Sequence, residues 1–140
     1  MDPRFLAAAR ASFPSAANTL TLGAPVHGGE CQPEPLVTLP IAMMNRHGLI
    51  AGATGTGKTK SLQLLAEQIS AAGVPVFVAD LKGDLSGLGM PGESTDRVTQ
   101  RAKDTGYAWK PAARPVEYLS LTGQKGAQLR ATVSSLTPST

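Results

Sequence analysis

An α/β fold, a parallel sheet with flanking helices, is what this chain predicts, and three features predict it. The first is the run Gly52-Ala53-Thr54-Gly55-Thr56-Gly57-Lys58-Thr59, which reads G-x-x-x-x-G-K-T. The second is its setting: Gly48-Leu49-Ile50-Ala51 is a short apolar run suited to a buried strand, and Lys58 to Ala72 carries Leu62, Leu65 and Ile69 at helical period. The third is Val74-Pro75-Val76-Phe77-Val78-Ala79, an apolar, β-branched run that ends at Asp80. Strand, helix and strand within about 30 residues make a βαβ unit. Its right-handed crossover lays the two strands parallel, with their C-terminal ends on one edge. The glycine loop and Asp80 share that edge.

Taken in order, residues 1–35 mix alanine, proline, serine and glycine without sustained periodicity and read as a flexible tail or linker. A short helix through Phe5 to Arg10 is the exception. Arg4, Arg10 and the serines resemble an organelle-targeting peptide only faintly, because Asp2 and the prolines oppose it. Leu36-Val37-Thr38-Leu39 alternates briefly toward a strand. After the central helix, Gly73 supplies a stop. Leu81 to Glu93, with four glycines and a proline, is a crossing rather than an element. Ser94 or Thr95 then caps a polar helix running to about Asp104, ended by Gly106. Val116 to Leu121 has the composition of a third strand, and Gln124 to Ser135 begins another helix. The expected organisation is a tail over 1–35, a partial domain over 36–135 and a divergent end over 136–140. Two or three parallel strands with one well-formed helix leave apolar faces uncovered, since such sheets are normally buried on both sides.

Composition narrows the class. At 140 residues, with 41% hydrophobic residues, 15 glycines and 11 prolines, one modest domain is the ceiling. The net charge of +3 permits nucleic-acid contact without demanding it. Between Asp96 and Arg130 seven Lys or Arg stand against three acids, which fits either a nucleic-acid contact or a solvated face. Cys31 is the single cysteine, so neither an intramolecular disulfide nor a cysteine-based metal site can form. No apolar run approaches the roughly 20 residues that span a bilayer, and the first residues lack the apolar stretch of a secretory signal. A cytoplasmic protein without membrane contact is expected.

The loop's residue types match a particular chemistry. Glycines let successive N–H groups converge on one anion, and the start of the following helix adds unpaired donors and partial positive charge. Lys58 can lean back over the loop toward the β- and γ-phosphates of a nucleotide, and the Thr59 hydroxyl suits one position around Mg²⁺. A glycine-rich turn with a chance lysine is the plain alternative, and the flanking strand and helix argue against it. At the second strand's end, Asp80 and Asp84 of Asp80-Leu81-Lys82-Gly83-Asp84 are candidates to hold the Mg²⁺ shell or to position a water. In the opposing view Asp80 caps a turn and Asp84 is solvated. The strand ending in Asp also has the form of a Walker B strand, and Asp80 to Gly83 satisfies the D-x-x-G of GTPases. A guanine-specifying N-K-x-D is absent from the sequence, and no arginine-rich lid of a small-molecule kinase is evident.

The stretch Asn45 to Thr59, followed by Val76 to Gly87, Arg101-Ala102-Lys103-Asp104-Thr105-Gly106-Tyr107, Leu119 to Gly123 and Leu129 to Ser135, resembles the bacterial HerA-like ATPases. The resemblance covers Leu36 to Ser135. It implies a P-loop NTPase fold of the RecA/FtsK kind, incomplete in this chain, and ATP with Mg²⁺ rather than GTP. It also implies that the strand ending at Asp80 is not Walker B, because in this superfamily that strand comes much later. Asp80 and Asp84 match the family's acidic strand-end motif, and Lys58 and Thr59 its phosphate and metal contacts. Arg46 and His47 match as well, where a structural role fits equally. Relatives form rings that translocate or unwind double-stranded DNA and continue into a long apolar helix where this sequence reads Leu136 to Thr140. The resemblance therefore implies the ATP-binding N-terminal part of a DNA helicase or translocase, truncated and weakly hydrolytic. A GTPase or kinase fragment, or a non-catalytic binding module, is the alternative.

Overall fold

A computed structural model describes residues 2–13 and 16–130. The chain folds into three helices and three two-stranded sheets among those residues, a mixed α/β arrangement.

Helix α1 (Pro3–Ser12) starts where Asp2 accepts the Arg4 N–H at 2.8 Å, with Pro3 opening the first turn. A carboxylate cap followed by proline satisfies the donors that a helix start leaves orphaned. Ala9 is buried, and the Phe5 ring stacks on His27 at 4.6 Å between centroids. Strand β1 (Thr19–Gly23) pairs antiparallel with β4 (Val37–Pro40), Leu20 opposite Leu39, with an irregularity between Thr21 and Gly23. Strands β2 (Val26–His27) and β3 (Glu30–Cys31) form a hairpin across Gly28-Gly29. Residues 1–35, expected as a flexible tail, thus carry a helix and three short strands. The boundary expected at residue 36 falls between paired strands, because β1 precedes it and β4 follows it.

Helix α2 (Lys58–Ala71) ends in a closing pair of bonds, Gly73 N–H to Ser70 O and Val74 N–H to Ile69 O, the motif that glycine just past a helix permits. Helix α3 (Asp96–Thr105) begins with Thr95 accepting from Val98 N–H and ends at Gly106 in the same way, with Tyr107 N–H on Ala102 O. Both helices lie where the sequence places them. Strands β5 (Leu119–Ser120) and β6 (Ala127–Gln128) run parallel. The third expected strand is therefore shortened to two residues, and residues 124–130 form no helix. The remainder of that expected helix, and the divergent end at 136–140, lie outside the described residues.

The main departure is the parallel sheet. Residues 48–51 and 74–79, expected as its strands, have no ladder partner among the described residues. A parallel strand persists only where neighbours close its hydrogen bonds and layers cover both faces. Here Leu49 is 90% and Phe77 82% exposed, so neither run has the cover that strand formation requires. The buried apolar residues among those described are Ala9 on α1, Leu20 on β1 and Ala66 on α2, and α2 packs on β1. No described helix is long and apolar enough to cross a membrane.

Candidate functional site

The glycine loop is curled, and its curl is fixed by one carbonyl. Ala53 O accepts from Thr56 Oγ1 at 2.8 Å, from Thr56 N–H at 3.4 Å and from Lys58 Nζ at 2.6 Å. Lys58 therefore folds back across the loop from the first turn of α2. A Cβ on Gly52 would stand 2.6 Å from Thr56 Oγ1, so the closed shape needs glycine there. Gly57 precedes the helix in a left-handed conformation, φ 96°, and has no side chain to cap it. The N–H groups of Lys58, Thr59 and Lys60 precede the first intrahelical bond, which Ser61 N–H makes to Gly57 O at 2.9 Å. A solvent-facing row of donors at a helix start, with a lysine folded beside it, is suited to an anion. Thr54, Gly55 and Thr56 form the exposed crest of the loop, and Thr59 is exposed on the helix.

The acidic turn has a different character from the one expected. Asp80 Oδ1 accepts from the N–H of Lys82 at 3.1 Å and of Gly83 at 2.8 Å, and Oδ2 accepts from Leu85 N–H at 2.8 Å. The Leu85 bond above all, with lesser help from those of Gly83 and Lys82, holds its carboxyl below the usual aspartate range against desolvation, which opposes it more strongly than either lesser bond assists. Asp80 is thus the turn's organiser, the opposing view raised by the sequence. Asp84 is joined to the loop helix through its backbone: Gln63 Nε2 donates to Asp84 O at 2.8 Å. Among the described residues no hydrogen bond or ion pair joins either carboxylate to Lys58.

Thr59, Gln63 and Glu67 recur every four residues and share one face of α2. The segment after Asp80 runs along that face. Glu67 Oε1 meets Arg114 Nη2 at 3.3 Å, and Arg114 N–H bonds Leu88 O at 3.2 Å. Tyr118 donates its hydroxyl to Ser86 O at 2.6 Å. Burial, and then the negative charge of Glu67, raise the Tyr107 hydroxyl above its ordinary pKa. Between α2, residues 87–93 and α3 lies a cleft of about 630 Å³, floored by Leu64, Leu88 and Trp109 and bearing Lys60, Arg97 and Arg101. None of residues 52–59 lines it. On the far side of α2, Gln68 Oε1 accepts from Thr21 N–H at 2.7 Å while its Nε2 donates to Thr21 O at 2.8 Å, tying the loop helix to β1.

The family model described as Helicase HerA-like C-terminal matches residues 27–139. The chain belongs to this HerA-like family. No curated protein and no solved structure matches it. The matched description is of a C-terminal domain, where the sequence reading has an N-terminal part. The match begins at His27, inside the segment expected as a tail and four residues before the end of β3. Within the HerA-like domain, the residues that sequence reasoning missed are Gln63, Glu67, Gln68 and Arg114. The polar stripe Thr59, Gln63, Glu67 was the available signal for the first two. Gln68 and Arg114 make contacts 47 residues away, beyond the reach of local pattern.

Proposed function

We propose that this HerA-like domain binds ATP with Mg²⁺ at the loop Gly52 to Thr59, as part of a DNA helicase or translocase ATPase. One observation carries the reading: Lys58 Nζ lies 2.6 Å from Ala53 O, across a closed loop whose helix starts with free N–H donors. An ammonium held there faces the space that a triphosphate tail would fill. The N–H groups of Lys58, Thr59 and Lys60 would donate to phosphate oxygens, and Lys58 would exchange its carbonyl partner for the β- and γ-phosphates. The tight Gly52–Thr56 approach leaves no room for a Cβ at residue 52 while the loop is closed. The Thr59 hydroxyl, exposed on the first turn, is the donor fitted to Mg²⁺, a hard cation that takes oxygen ligands. Bound there, Mg²⁺ would supply positive charge to offset that of the phosphates. ATP in preference to GTP is drawn from family membership, and so are double-stranded DNA as the polymer partner and a ring of identical subunits as the assembly. A completed parallel sheet of the P-loop NTPase kind belongs to the same reading, with residues 48–51 and 74–79 as its strands. Slow hydrolysis by this chain alone belongs to the same reading, drawn from the family resemblance.

Thermal unfolding tests the reading. Mg-ATP at 100 times its Kd contributes about 2.7 kcal/mol, which raises the melting temperature by several degrees in a domain of this size. Lys58→Ala should abolish most of that rise, and GTP should compete poorly. Absence of any rise with the unaltered chain overturns the proposal. Affinity for duplex DNA should fall steeply with salt, and a salt-independent affinity removes DNA from it.

A further inference from the structure

We propose that Gln63 is a positioning residue for the metal side of the nucleotide site, holding the Asp84 carboxylate beside Thr59. The proposal rests on the ATP reading above and deepens it. Gln63 stands one turn beyond Thr59 on the same face of α2, a rise of about 6 Å. Its side-chain amide donates to the main-chain O of Asp84 at 2.8 Å, so the backbone of the residue that carries this carboxylate is tied to the position one helical turn beyond Thr59. The neighbouring acid already has a structural task. Its Oδ1 accepts from the N–H groups of Lys82 and Gly83 and its Oδ2 from that of Leu85, which give the turn its shape. No side chain among the described residues pairs with the Asp84 carboxylate, which is exposed. The two acids thus divide the work: Asp80 folds the turn, Gln63 pins it to the loop helix, and Asp84 presents charge to the hydrated cation. A carboxylate reaching Mg²⁺ through its retained waters suits an ion that gives up its hydration shell reluctantly.

The division is testable by substitutions that change one property each. Gln63→Met keeps length and helix preference, adds no charge and removes the donor. Binding of ATP to the full chain is measured by calorimetry with Mg²⁺ and with EDTA, for the unaltered chain, Gln63→Met, Asp84→Asn and the double variant. Loss of the pin should weaken Mg-ATP binding roughly three- to tenfold, the scale of one net hydrogen bond, and leave metal-free ATP binding unchanged. In the Asp84→Asn background Gln63→Met should cost nothing further, because both changes remove the same contribution. Equal weakening with Mg²⁺ and EDTA, or an undiminished cost in the Asp84→Asn background, overturns the positioning role while the ATP reading stands. Failure of the unaltered chain to bind ATP in either condition overturns both.

Discussion

Asp80 shows how much one side chain organises at the scale of single residues. Three backbone N–H groups converge on its carboxylate and hold it in the charged form, with the Leu85 bond acting most strongly. A folded-state pKa below the unfolded one stabilises the fold at pH values above the unfolded pKa. That contribution declines as pH falls through the aspartate range toward the lowered folded value. Asp80→Asn, whose amide offers one acceptor oxygen in place of two, should therefore melt at a lower temperature than the unaltered chain near neutrality. The gap should close as the solution is acidified below the ordinary aspartate range. Melting curves at a series of pH values check this, and a gap that persists in acid would mean that charge is not what holds the turn. Lys58 and Asp80 stand out in the sequence because glycine spacing and an acid after an apolar run are local signals. Gln63 was not, since its partner is a main-chain oxygen 21 residues away that no composition marks.

Helix α2 joins these residues as an element, presenting its Thr59, Gln63 and Glu67 face to the turn after Asp80 and its Gln68 to β1. The Gln68 amide replaces the missing strand neighbour of Thr21, satisfying both its N–H and its carbonyl in a part-buried place. Gln68→Leu leaves those two groups without partners and should destabilise the fold by about 1–3 kcal/mol, measured by urea unfolding. A change well below that range would show that water replaces the amide freely. Two helices were readable: Thr95 with Gly106, and Gly73 after Ala72, mark starts and stops that the structure keeps. Strands expected at 48–51 and 74–79 find no ladder partner among the described residues, and a strand is a property of a pair. Apolar residues in a row state a preference for burial, and the described chain gives Leu49 and Phe77 nothing to be buried against. The opposite error fell at β1, whose threonines and glycine gave little apolar signal although Leu20 is only 1% exposed.

Across the whole molecule, apolar side chains stand uncovered among the described residues: Leu49, Phe77, Leu81 and Leu121 are all more than three-quarters exposed. Apolar area on this scale favours association, since scattered single side chains are normal and runs of them are not. Sedimentation at rising protein concentration should show self-association, and Phe77→Ser should reduce it without lowering the melting temperature, because the ring contributes little to the fold at 82% exposure. A monomer at all concentrations would refute this. Uncovered faces were foreseeable from the count of elements, whereas the N-terminal layer of α1 and β1 to β3 was hidden by a composition typical of linkers.

The amide of Gln68 has a mechanical meaning as well. It anchors α2 ten residues, or about 15 Å, from Lys58, so that the helix resembles a lever with its fulcrum at β1. A tilt of about 5° about that point would displace the ammonium end by about 1.3 Å, on the scale of 1.5 Å rise per residue. Motion imposed on β1 would thus be felt most at the lysine tip.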